Sequence, residues 1–153
     1  MRLEVRGEYP PDWREIAERV KTAAKWRCVR CGHPFRPGGV MQPCDDACDR
    51  SRCAHARFGK ALNFGVHHLD GDKGNCRWWN LLATDNACHL SIQARVIPTQ
   101  VWLFEHSDWF LPYVCGWYAW YYGGVEISRE QAIADPQRWI QLGQPWRFGR
   151  LYG

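Results

Sequence analysis

The sequence predicts a small α+β fold: a ββα unit, preceded by a helix and cysteine knuckles and followed by an aromatic-rich helical tail. Three observations predict it. A strand-like run, a turn-rich loop, a second short strand and a helical run succeed one another between residues 61 and 96. The eight cysteines are grouped, with Cys28-x2-Cys31 upstream and Asp85-x2-Cys88 downstream. From residue 99 onward the chain turns aromatic. At 153 residues there is room for one domain, read as a helix over 12–27, a core over 28–97 and an extension over 98–153.

Each element has a local reason. Trp13, Ile16, Val20 and Ala23 or Ala24 recur at helical spacing, with Asp12 and Glu15 as a capping box. Residues 34–60, rich in Gly, Pro, Asp, Arg and Cys, read as an irregular loop that needs an internal anchor. ALNFGVHHL (61–69) reads as a strand, and DGDKGN (70–75) is dense in turn formers. That loop opens like a calcium loop, but its twelfth position is Leu81 rather than a bidentate Glu, so Asp70 and Asp72 are expected to shape turns. NLLAT (80–84) is a second strand, and Asp85 or Asn86 caps a helix over about 87–96 that Pro98 ends. Ser107 is expected to cap a helix over 108–121, and Ser128 with Gln131 a short one over 129–134. The tail's aromatics are expected to build a core rather than to stack on bases, because no Lys or Arg lies between residues 96 and 128.

Charge is uneven. Residues 1–97 carry 16 Lys and Arg against 11 Asp and Glu, a balance of +5; residues 98–153 carry 4 against 5, a balance of −1. The basic half favours phosphate-rich partners, although a solvated surface fits an excess of this size equally well. No apolar run reaches membrane-spanning length and the first residues lack the core of a signal peptide, so the chain reads as cytoplasmic. In that compartment grouped cysteines argue for metal sites over disulfides. Cys76 and Cys115 have no evident partner.

The chemistry-bearing residues fall at telling intervals. His67-His68 closes the first strand, Asn80 follows twelve residues after His68, and His89 directly follows Cys88 at the start of the helix. Adjacent strand residues point to opposite faces, so His67 and His68 cannot both face one metal from a regular strand.

With WRCVRCGHPF, VHHLDGDKGNCRWWNLLATDNACHLSIQ and, more loosely, FEHSDWF, the chain resembles the HNH (His-Me finger) endonucleases, especially small phage-type members. The resemblance covers roughly residues 26–110. It implies a ββα-metal core that hydrolyses DNA, in a phage context within the host cytoplasm. It implies His67 and His89 as ligands of one divalent catalytic metal (Mg, Mn, Ni or Zn) and His68 as general base. Asn80 in such proteins either binds the metal or pins the loop, and beside His89 pinning is the favoured role. The paired knuckles resemble the family's structural zinc site, usually four Cys. Here Asp85 stands at the third position, and three readings stay open: Cys28, Cys31, Asp85 and Cys88 close the site, the 44–55 loop supplies the fourth ligand, or the site is lost. Cys44, Cys48, Cys53 and His55 are a candidate second zinc set at irregular spacing. The competing function is a non-catalytic zinc module binding nucleic acid or protein.

Overall fold

The computed structural model describes residues 7–95 and 107–143. The chain divides into two compact units, residues 1–99 and 100–153. The Pro98 stop and residues 99–106 of the aromatic stretch lie outside the described residues.

The first unit begins with helix α1 (Trp13–Ala23), whose apolar stripe of Trp13, Ile16 and Val20 is half-buried. The expected capping box does not form: Asp12 makes no side-chain cap bond, and its backbone oxygen accepts from Glu15 N instead. Lys25 and Trp26, both at positive φ, then swing the chain out of the helix into the Cys28–Cys31 knuckle. Gly32, at φ +78, lets the Ala47–Cys48 segment lie against that knuckle, where a Cβ would strike the Ala47 carbonyl oxygen.

The segment 34–60 is more ordered than its composition predicts. Strands β1 (Phe35–Arg36) and β2 (Val40–Met41) pair antiparallel around Pro37, Gly38 and Gly39, and helix α2 (Ala54–Phe58) follows. Both glycines of the turn have positive φ, which a tight reversal demands.

Strand β3 (Phe64–His68) pairs antiparallel with β4 (Leu81–Asp85), with His67 opposite Leu82 and His68 opposite Leu81. Helix α3 (Asn86–Arg95) leaves β4 directly. The predicted strand, strand and helix are thus present, with the first strand shorter at both ends than 61–69. Every residue of β4 is buried, and Trp79 and Leu69 are buried beside it.

In the second unit, helix α4 (Leu111–Tyr121) starts later than the expected 108. Its N-cap position is Phe110, and Ser107 contributes a backbone oxygen to Leu111 N rather than a side-chain cap. Tyr113, Val114, Cys115, Trp117 and Tyr118 are buried around this helix, so these aromatics do build a core. Helix α5 (Arg129–Ala134) has the expected Ser128–Gln131 capping box, and α6 (Pro136–Ile140) buries Trp139 and Ile140. Among the described residues no helix is long and apolar enough to cross a membrane.

Candidate catalytic and metal-binding residues

The loop between β3 and β4 is held by one buried amide. Asn80 Oδ1 accepts from Asp70 N at 3.0 Å, and its Nδ2 donates to Asp70 Oδ1 at 2.9 Å and Asn75 O at 2.8 Å. Asp70 in turn accepts from Asp72 N and Asn75 Nδ2. Both amide hydrogens of Asn80 are spent on the loop, and Asp70 and Asp72 shape its turns.

The two strand-end histidines lie on opposite faces of the hairpin, as alternation requires. His67 meets His89 of α3 ring to ring, with centroids 3.5 Å apart and planes 6° from parallel. Burial, followed by His89 and His68, lowers the His67 pKa to about 3, and burial lowers that of His89. Both imidazoles are therefore neutral at pH 7, the form that binds metal. His68 has other company. Its ring lies 4.8 Å from Trp13 and 5.8 Å from Tyr9, with Lys73 Nζ over Tyr9, and Cys76 Sγ is 3.9 Å from His68 Nε2. Burial lowers the His68 pKa from 6.5, while Asp70, Asp72 and the Lys73 backbone oppose it. The fold thus brings His67 and His89 together and sets His68 apart, under an aromatic cover. Tyr9 and Trp13 were not legible as its neighbours, since nothing local ties residues 9 and 13 to a strand fifty-odd positions later.

The paired knuckles converge. Cys28, Cys31, Asp85 and Cys88 are all buried, and each offers a ligand atom within 4.8 Å of the others. Val29 N donates to the Ala83 carbonyl, tying the first knuckle to β4. Asp85 uses its two oxygens differently: Oδ1 accepts from Cys88 N at 2.8 Å, capping α3, while Oδ2 accepts from Cys31 Sγ at 3.1 Å. Arg30 Nη1 donates to Cys88 Sγ at 3.4 Å. Bonds from Cys28 and Cys31, and then Arg30, bring the Cys88 pKa down to about 4. Burial pushes the Cys28 thiol up, bonding to Cys28 and Cys88 pushes that of Cys31 up, and burial pushes the Asp85 carboxyl up. Four acidic groups packed this closely can all ionise only around a cation. The set could hold a zinc ion, with an Asp oxygen as fourth donor.

The second candidate set needs one correction. Cys44, Cys48 and Cys53 do converge, but on His33 rather than His55. His55 Nδ1 donates to the Lys60 carbonyl at 2.9 Å, and its ring sits edge-on behind His33 at 5.5 Å. The α2 turn and its left-handed cap at Gly59 direct His55 to that carbonyl instead. His33, two residues past Cys31, is fully buried. This group could likewise hold a zinc ion. Among the described residues these are the two groups in which three or more such donors meet.

No family model matches the chain, and no curated protein or solved structure matches it either.

Proposed function

We propose that this chain is a metal-dependent HNH-type endonuclease that hydrolyses DNA phosphodiester bonds on a ββα-metal core. The observation that carries this reading is the pairing of His67 on β3 with His89 on α3, beside a loop pinned by Asn80. In this reading His67 and His89 hold one divalent cation, which supplies Lewis-acid relief of charge on the scissile phosphate and leaving oxygen. His68 accepts the proton of the attacking water. Asn80 keeps the loop, and so the end of β3, in place. Cys28, Cys31, Asp85 and Cys88 hold a structural zinc that fixes the start of α3 and with it His89. Two imidazoles, joined by no carboxylate among the described residues, rank nickel and zinc above magnesium and manganese.

The test is supercoiled plasmid incubated with the zinc-loaded protein and Mg²⁺, Mn²⁺, Ni²⁺, additional Zn²⁺ or no added metal, resolved on a gel. Wild type should yield nicked or linear DNA with at least one metal, and His67→Ala and His89→Ala should each lose most of that activity. Partial rescue at high metal concentration is expected, because each variant keeps one ligand. Plasmid left supercoiled under every condition would overturn the nuclease reading.

A second reading has one observation in its favour. His68 packs beneath Trp13 and Tyr9, on the face opposite His67. That suits a non-catalytic zinc module in which His68 is a packing residue. Such a module would bind DNA with steep salt dependence, through the basic residues of 1–97, and leave it uncut.

A further inference from the structure

We infer that His33, Cys44, Cys48 and Cys53 form a second zinc site, which folds the segment between the knuckle and β3 independently of any cleavage chemistry. The donor spacing is that of a tetrahedron. With Zn–S near 2.3 Å and Zn–N near 2.0–2.1 Å, the edges of a tetrahedral site come to about 3.6 Å for S···N and about 3.8 Å for S···S. His33 Nδ1 lies 3.4 Å from Cys53 Sγ, 3.5 Å from Cys44 Sγ and 3.9 Å from Cys48 Sγ. The Cys44 and Cys53 sulfurs are 4.0 Å apart. Four donors from three separate turns of chain meet four of the six edges of one coordination shell to within a few tenths of an ångström, and all lie within 4.8 Å of one another.

Polar contacts frame the donors. Ala56 N donates to Cys53 Sγ at 3.5 Å, from the first turn of α2. Arg27 is bound to Asp45 through Nη1–Oδ1 at 2.9 Å, which anchors the segment just before Cys48, and Asp49 N donates to the Cys31 carbonyl.

The need for an ion follows from what else holds this region. The buried cluster beneath it consists of Cys28, Cys31, Phe35, Cys48, Cys53, Leu62 and Cys88, in which only Phe35 and Leu62 are not cysteines. Two buried apolar side chains, with Met41, Ala54, Phe64 and Ala87 packed partly against them, are too few to offset the conformational entropy of ordering residues 34–60. A metal can, as it does in small domains that fold only when loaded. Charge also separates the two sites: three thiolates and a carboxylate leave a zinc complex at −2, offset by Arg30, whereas three thiolates and a neutral imidazole leave −1.

The experiment measures zinc per chain by native mass spectrometry on full-length protein purified without added metal. Wild type should carry one zinc ion more than His33→Ala and the same number as His55→Ala. Equal zinc in wild type and His33→Ala, or loss of zinc from His55→Ala, would each overturn the assignment. Should His33→Ala fail to fold, alkylation of the wild type decides. Cys44, Cys48 and Cys53 should be protected in the loaded protein and labelled after chelation; labelling of all three in loaded protein would refute the site. Neither readout depends on DNA cleavage.

Discussion

His68→Ala should lower the rate of plasmid cleavage by about 10²–10⁴-fold, the usual contribution of a positioned base, with DNA affinity and metal content unchanged. His68 is half-buried, and burial lowers its pKa from 6.5. A base is active when unprotonated, so a lowered pKa carries activity to more acidic pH. The acid limb of the pH–rate profile should therefore fall below pH 6.5, and should vanish with the residual activity of the variant. The Lys73 backbone bears on the ring, and Cys76 Sγ lies 3.9 Å from its Nε2. A variant that cleaves within a factor of a few of wild type would make His68 a packing residue beneath Trp13. An acid limb well above neutrality would contradict its burial.

Stripping zinc should unfold the first unit. Structural zinc contributes roughly 10–16 kcal/mol in small peptide systems at pH 7, as much as the whole stability of an ordinary domain, about 5–15 kcal/mol. Five of the seven residues buried beneath both clusters are cysteines, so that part of the unit depends on the ions. Chelation should abolish its cooperative melting transition, and acid should do the same, because thiolates must be protonated to release the ion. Asp85→Ala should be among the most damaging single changes. It removes a ligand and also the cap on α3, the latter worth about 1 kcal/mol. Asp85→Cys should bind zinc more tightly, since thiolate is the softer donor, yet should leave α3 less well capped. A zinc-free protein with an unchanged melting transition would show that neither cluster is structural.

What was legible in the sequence was mostly local or periodic. The β3–β4–α3 succession follows from a strand-length run, a turn-rich loop and a cap, all within one stretch. Ser128 with Gln131 is a capping box in both pattern and structure, whereas Asp12 with Glu15 has the pattern without the bonds. Asp85 could be singled out because Asp85-x2-Cys88 repeats the spacing of Cys28-x2-Cys31. His33 could not be singled out by spacing within 44–55, although Gly32 was a signal: a glycine between Cys31 and His33 permits a second segment to close onto the knuckle. The β1–β2 hairpin also had a signal in Gly38-Gly39, obscured by the surrounding polar residues. The cover over His68 joins residues 9 and 13 to 68, a tertiary contact that no local pattern encodes.

The two cysteine clusters differ in how much chain must exist before each is complete. His33, Cys44, Cys48 and Cys53 belong to one continuous stretch, whereas Cys28 and Cys31 wait for Asp85 and Cys88. At roughly 5–20 residues per second, a ribosome needs on the order of seconds to pass from Cys53 to Cys88. A nascent chain that binds both ions should therefore capture the local one first, since closing that shorter loop costs less entropy. Because Cys31 and His33 share one knuckle, that early ion would set the geometry that the distant partners later meet. Refolding of the denatured, metal-free chain should accordingly take up zinc in two phases, and the faster one should disappear in His33→Ala.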